Sequence, residues 1–232
     1  MAVIHRTALK PTKLELLTSW LPSRPWYVGG AGGPELAKAG GFRLDDPEGE
    51  VGIEFLVVND TSDSLPVTYL VPLTYRGAPL DGAEHALVGT MEHGVLGRRW
   101  AYDGCHDPLM AAQLTALVEG RVQAQDQNTS DVPDREVTRS CTGDGSAPTD
   151  FTVGATDDRE GTELPAPQGT TLRLHRVLRP APDHEPFPPP QAIGHVAGSW
   201  QLPDGTRTRG LLVVLHSGSR AQDHAADVDI PA

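Results

Sequence analysis

The chain's 232 residues, 38% of them hydrophobic and 22% charged, suffice for one large or two small domains with a buried core. A formal net charge of −12 excludes a general nucleic-acid binder, which needs a basic face to displace counterions from phosphates. Two cysteines, Cys105 and Cys141, exclude a disulfide framework, and no run of about 18 apolar residues offers a membrane span.

His5, Arg6, Lys10, Lys13 and Glu15 break the apolar residues at the start of the chain, so no export signal is read and a cytoplasmic protein with free thiols is expected. Residues 1–10 read as a short strand. Thr12 then caps KLELLTSWL, an amphipathic helix with Leu14, Leu17 and Leu21 on one face. The Pro- and Gly-rich LPSRPWYVGGAGGPE is a loop, and Gly41–Leu44 begins the next strand after it. The segment from Val51 to Tyr102 carries the clearest pattern. VGIEFLVV places Val51, Ile53, Phe55 and Val57 on one face at period two, PVTYLVPLTYRG comes after the turn 60–64, and two shorter strands flank Glu92-His93-Gly94. A curved antiparallel sheet is expected, and after it a helix of about three turns in LMAAQLTALVEGRV.

Residues 123–134 are polar and without periodicity, and a linker is expected over 121–135. Short β runs then recur: REVTRSC, DFTVGAT, GTTLRLHRVL, IGHVAGSWQL and TRGLLVVLH. Asp204-Gly205 between the last two is a hairpin turn signal. Pro180–Pro190 has neither a strand nor a helix reading, and the polar tail 218–232 is expected to be disordered.

No catalytic motif is complete. Gly29–Gly33 lacks the preceding strand and the acidic partner of a dinucleotide loop, and no Gly-Lys pair exists for a P-loop, so a flexible connection accounts for it better. His85, His93 and His106, with Glu84, Glu92, Asp103, Cys105 and Asp107, lack the fixed spacing of metal ligands and read as polar strand ends. Gly198-Ser199-Trp200 and His216–Ser219 do not form a nucleophile elbow, and the adjacent pairs Asp45/Asp46 and Asp157/Asp158 do not face each other across a cleft. The tryptophans Trp20, Trp26 and Trp100 have two readings. Core packing is the favoured one. The other is a sugar platform or partner anchor made of Arg24, Trp26 and Tyr27 with Arg98, Arg99 and Trp100, since aromatic plus arginine is the composition of binding hot spots.

WLPSRPWY, the β-rich body, Tyr75-Arg76-Gly77 and GTMEHGVLGRRWAYDGCHDP together resemble, in order and spacing, the N-terminal cap domain of actinobacterial maltokinases. The resemblance covers residues 1–120. It implies a cystatin-like curved sheet with a packed helix, and a place in trehalose, maltose and α-glucan (glycogen) metabolism. Residues 136–217 are similar to a degenerate small nucleotide-binding lobe. There, Leu172–Pro180 matches the lysine-bearing strand, and HVAGSWQLPDGTRTRGLLVVL matches the hairpin leading to the hinge. Arg173 stands where the family has its phosphate-pairing lysine, no lysine occurs beyond Lys38, and the catalytic lobe is not represented.

The expectation is therefore an α+β, β-dominated protein: a cap-like domain at 1–120, a linker, a smaller antiparallel β domain at 136–217 and a tail. Its expected function is a non-catalytic accessory module, without metal or cofactor, for a protein partner in trehalose or α-glucan metabolism. The alternatives are a subunit of a split sugar kinase or of a branching-type glucan enzyme, and a carbohydrate-binding module that takes an oligosaccharide.

Overall fold

A computed structural model describes residues 9–30, 32–142, 154–166, 169–182 and 186–217. The expectations for residues 1–8, for Phe151–Val153 and for the tail 218–232 lie outside them, and part of Pro180–Pro190 does too. After β1 (Leu9–Lys10), helix α1 (Lys13–Trp20) starts where the sequence places it. Thr12 accepts the Glu15 N–H at 3.3 Å while its own N–H donates to Glu15 Oε2 at 2.7 Å. This reciprocal box satisfies donors that a bare helix start leaves open, worth about 1 kcal/mol. Leu17 and Leu21 are fully buried against the sheet.

The sheet begins with β2 (Leu36–Leu44), β3 (Gly52–Asp60) and β4 (Val67–Arg76), and continues with β5 (Leu87–His93) and β6 (Gly97–Asp103). β2 starts earlier than expected because a bulge between Lys38 and Gly40 breaks its alternation. β3 is buried on both faces, and the alternation sorts its residues cleanly. Ile53, Phe55 and Val57 join one core, whereas Leu56 and Val58 join a second core with Leu17, Trp20, Leu21, Trp26, Tyr69 and Val71 beneath α1.

Helix α2 (Pro108–Glu119) opens on Asp107, whose carboxylate accepts the Leu109 N–H at 3.0 Å, and closes on Gly120. It is buried almost all round, from Met110 and Ala111 through Gln113–Val118, so it serves as a core helix and not as a surface layer. The second half adds β7 (Thr138–Cys141), β8 (Thr156–Asp157), β9 (Gly161–Pro165), β10 (Thr171–His175), β11 (Val177–Leu178), β12 (Ala192–Gln201) and β13 (Arg207–His216). β9 was not anticipated, because Gly161, Glu163 and Pro165 dilute its five residues. The Asp204-Gly205 hairpin joins β12 to β13, with Gly205 at φ 86° in the turn.

All described strands belong to one antiparallel sheet ordered β1-β5-β6-β4-β3-β2-β12-β13-β10-β9-β8, with β7 on β12. The β2–β12 join is a single pair, Trp200 with Gly40. The path also turns back on itself, because β10 continues through Arg176 into β11, which pairs with β4 at Tyr69 and Thr68. The curl encloses one core in which Phe42, Phe55 and Leu114 meet Leu172, Trp200 and Leu212. That core spans the expected 121–135 boundary, and the stretch is no loose tether. Arg43 and Gln125 exchange both backbone hydrogen bonds at 2.9 Å, Asp134 N–H reaches Ala124 O at 2.8 Å, and Ala124 is buried. Polar composition concealed this because the segment is held by backbone bonds, which need no apolar side chains.

Candidate functional site

Trp26 takes no part in the aromatic–arginine face weighed as the alternative to core packing. Trp26 is fully buried, packed between Trp20 (ring centroids 5.8 Å apart) and Tyr69 (5.7 Å), so core packing is the correct reading and the partner-anchor reading of this residue is wrong. Tyr27 is half-buried against Tyr69, and Arg24 stacks over the Trp20 ring at 4.8 Å. The Tyr69 hydroxyl donates to Val28 O and accepts Val28 N–H, both at 2.9 Å. Burial pushes this phenol up to about 12, against the opposing pull of the Val28 bond. Strand alternation then divides the second group. Arg98 stacks over Trp100 at 5.5 Å, and Trp100 packs with Tyr102, Ala83, Ala86 and Leu80, while Arg99 points to the other face of β6.

Arg173 projects from β10 into two ion pairs, with Asp158 Oδ2 at 2.7 Å and Glu163 Oε1 at 3.0 Å. Its guanidinium is thereby committed, and the Arg173 bond holds the Asp158 carboxyl down at about 2. Of the polar residues weighed as metal ligands, Asp107 takes both prongs of the Arg76 fork at 2.7 Å each. His85 Nε2 and His106 Nδ1 lie 3.1 Å apart. Among the described residues no group of three or more His, Cys, Asp and Glu is placed to hold a metal.

Two features escaped the reading from sequence. The first is a buried seam between the halves. Arg176, 0% exposed, donates from Nη2 to both Asp103 carboxylate oxygens at 2.8 and 2.7 Å and to Cys105 Sγ at 3.1 Å. Its Nε reaches Thr162 Oγ1 at 2.6 Å, and its plane lies 5.0 Å over the Trp26 ring. Burial pushes the Cys105 thiol well up, so it is an inert core thiol. A signal was available, since Arg176 falls in phase with Leu172, Leu174 and Leu178. A charge on an inward-facing stripe calls for a buried partner.

The second feature is a cavity of about 710 Å³ at the end of the α1 face. Strand register places Arg43 opposite Glu54 and Arg99 opposite Met91, and all four line the cavity with Lys13 and Tyr75. Glu54 is buried, paired with Lys13 and bonded by the Tyr75 hydroxyl at 2.8 Å. Burial works to raise the Glu54 carboxyl, but Lys13, Tyr75 and Lys38 outweigh it and hold it below the ordinary value. Burial first, then Glu54, pushes the Tyr75 phenol well up, so it stays protonated. No local sequence pattern reveals this grouping, because its residues come from separate strands and α1.

The architecture is that of a β-dominated protein with one large antiparallel sheet and few helices. Residues 20–107 match the family model of the maltokinase N-terminal cap domain, so the chain carries a cap-like domain in that stretch. The match runs from the end of α1 to the residue that caps α2. No curated protein matches the chain. Among the described residues no helix is long and apolar enough to cross a membrane.

Proposed function

We propose that this protein is a non-catalytic, cap-like accessory module that associates with a maltokinase-type enzyme of trehalose, maltose or α-glucan metabolism in the cytoplasm. The match over residues 20–107 carries the association. The state of Arg173 supports the non-catalytic part. A kinase-type lobe holds the nucleotide phosphates with a strand cation, and here that cation is neutralised by Asp158 and Glu163. Its forked guanidinium also favours flat bidentate partners over the point contact of an ammonium group. The cystatin-like reading of the first unit, residues 1–120, draws on α1 lying across the sheet, and the small-lobe-like reading of residues 136–217 draws on the β10 and β12–β13 strands. Both units belong to this proposal, as parts folded onto one another.

The test has two arms. Tagged protein is used to capture a purified maltokinase, and titration calorimetry with Mg-ATP is paired with a coupled assay on maltose. Retention of the enzyme with neither micromolar nucleotide affinity nor turnover is the expected result. Turnover that survives extensive purification would replace this reading with that of a kinase subunit, and failure to retain the enzyme would remove the association.

A further inference from the structure

We propose that the cavity at the end of the α1 face is a binding site for a small organic phosphate monoester, held by Arg43 and Arg99. This goes beyond the accessory role and does not depend on it.

The walls carry Lys13, Arg43, Arg76 and Arg99 against Glu50 and Glu54, in a chain whose formal net charge is −12. Two of these cations are already matched, Lys13 by the buried Glu54 and Arg76 by Asp107. Arg43 and Arg99 make no ion pair among the described residues, and the remaining acidic lining residue, Glu50, is exposed. Arg99 Nε is buried with no hydrogen-bond partner, which costs free energy unless an acceptor meets it. Two unmatched guanidinium forks on one concavity favour a group with two negative charges and several acceptor oxygens. A phosphate monoester near neutral pH is such a group.

The backbone leaves room for this arrangement. A Cβ on Gly77 would stand 2.9 Å from Arg99 Nη1, so the absence of a side chain there lets the guanidinium lie along the β4 end. The volume falls within the roughly 300–1,000 Å³ of small-molecule sites, far more than a free phosphate needs. Leu9, Val51, Pro79, Met91 and Leu96 give one part of the wall an apolar character suited to a ring-bearing body, beside the polar His93 and Gln127. Glu54 and Tyr75 are engaged with each other and with Lys13, so they stiffen the floor and leave head-group recognition to the two arginines.

The test is calorimetric titration of the full chain at low salt with phenyl phosphate, inorganic phosphate, phenol and succinate. Phenyl phosphate should bind at least about tenfold more tightly than each of the other three. Arg43→Gln and Arg99→Gln should each weaken it by roughly tenfold or more, as expected for a lost charge-assisted bond, and added salt should weaken it further. Gly77→Ala should also weaken it by displacing Arg99, whereas Arg24→Gln, outside the cavity wall, should not. Circular dichroism checks the fold. If Arg99→Gln does not fold, Arg99→Lys keeps the charge, loses the fork, and should still weaken binding. Absence of phenyl phosphate binding, or binding unchanged in both arginine variants, would overturn the site. Inorganic phosphate or succinate binding as tightly as phenyl phosphate would overturn the monoester assignment.

Discussion

Arg176→Met removes the guanidinium of the buried seam while keeping much of the side chain's volume, and leaves Asp103 behind it. Both partners are essentially inaccessible, at 0% and 1% side-chain exposure. Asp103 would lose the two-oxygen contact with Nη2, keeping a bond from the Cys105 N–H at 3.2 Å, and Thr162 would lose its Nε donor. Removing one partner of a buried pair costs about 3–5 kcal/mol, because the surviving charge is uncompensated in a medium that solvates it poorly. For a chain of this length, 1 kcal/mol moves the melting temperature by about 2–4 °C, so a fall of roughly 6–20 °C is expected at pH 7. That is a large share of a typical stability of about 5–15 kcal/mol. The decisive comparison is the double variant Arg176→Met/Asp103→Leu, in which no buried charge is left over. It should be more stable than Arg176→Met alone, since an apolar replacement of the whole pair is often neutral. Scanning calorimetry of wild type, single and double variants provides the measurement. A single variant within about 1 kcal/mol of wild type, or a double variant less stable than the single, would refute the reasoning.

Burial lowers the affinity of His106, His175 and His195 for the proton, with neighbouring charges contributing to each. The unfolded chain thus binds more protons than the native one below about pH 6.5, and denaturant melts should show stability falling as pH drops through that region and holding level above it. Asp158 titrates at about 2, chiefly because of Arg173, so its contribution is present above the ordinary carboxylate range and fades as pH falls toward 2. In Arg173→Gln, NMR titration should find this carboxyl shifted upward toward the ordinary range. Trp26→Ala should destabilise by about 3–5 kcal/mol, measured by urea titration, whereas the partly exposed Trp100→Ala should cost clearly less. A chain cut after residue 135 should not fold cooperatively in calorimetry, because the removed strands supply Leu172, Leu174, Val196, Trp200 and Leu212 to the shared core.

Local pattern made much of the first half legible. The period-two run from Val51 gives β3 its inward stripe, the turns on either side of β4 are written in Asp, Ser and Gly, and Thr12 with Glu15 marks the start of α1. α2 was legible as a helix but not as a core element. Its near-complete burial depends on how far the sheet curls, and that is decided by strands contributed much later in the chain. Trp26 dropped out of the candidate face for the same reason. Composition identifies residues that bind strongly when exposed, but exposure of Trp26 is removed by Tyr69 and by Arg176, 150 positions away. Arg99 was legible only as part of a composition beside Trp100, and Arg43 not at all, because each is an ordinary polar position of a strand until register brings them to one cavity.

The boundary of the family match and the boundary of the folding unit are different in kind. Residues 20–107 hold β2 to β6 and the cap of α2, but end before the helix that fills one face of their own sheet. Phe42, Phe55 and Val57 lie on that face, and each is buried at about 1% exposure or less by α2 and by strands of the second half. Fully burying such side chains contributes about 1.5–3 kcal/mol apiece, so exposing three would remove most of a typical domain's stability. The cap-like stretch in this chain therefore draws its stability from α2 and the strands of the second half. The Arg176–Asp103 pair reinforces this dependence, because its two charges come from opposite halves and are compensated only when both are folded together. Surfaces for a partner are correspondingly restricted. The α2 face is filled from within, and what the first half presents outward includes the solvent side of α1, the stacked Arg24 and Arg98, the arginine-lined cavity beside Lys13, and the exposed Val28, Leu65 and Val95.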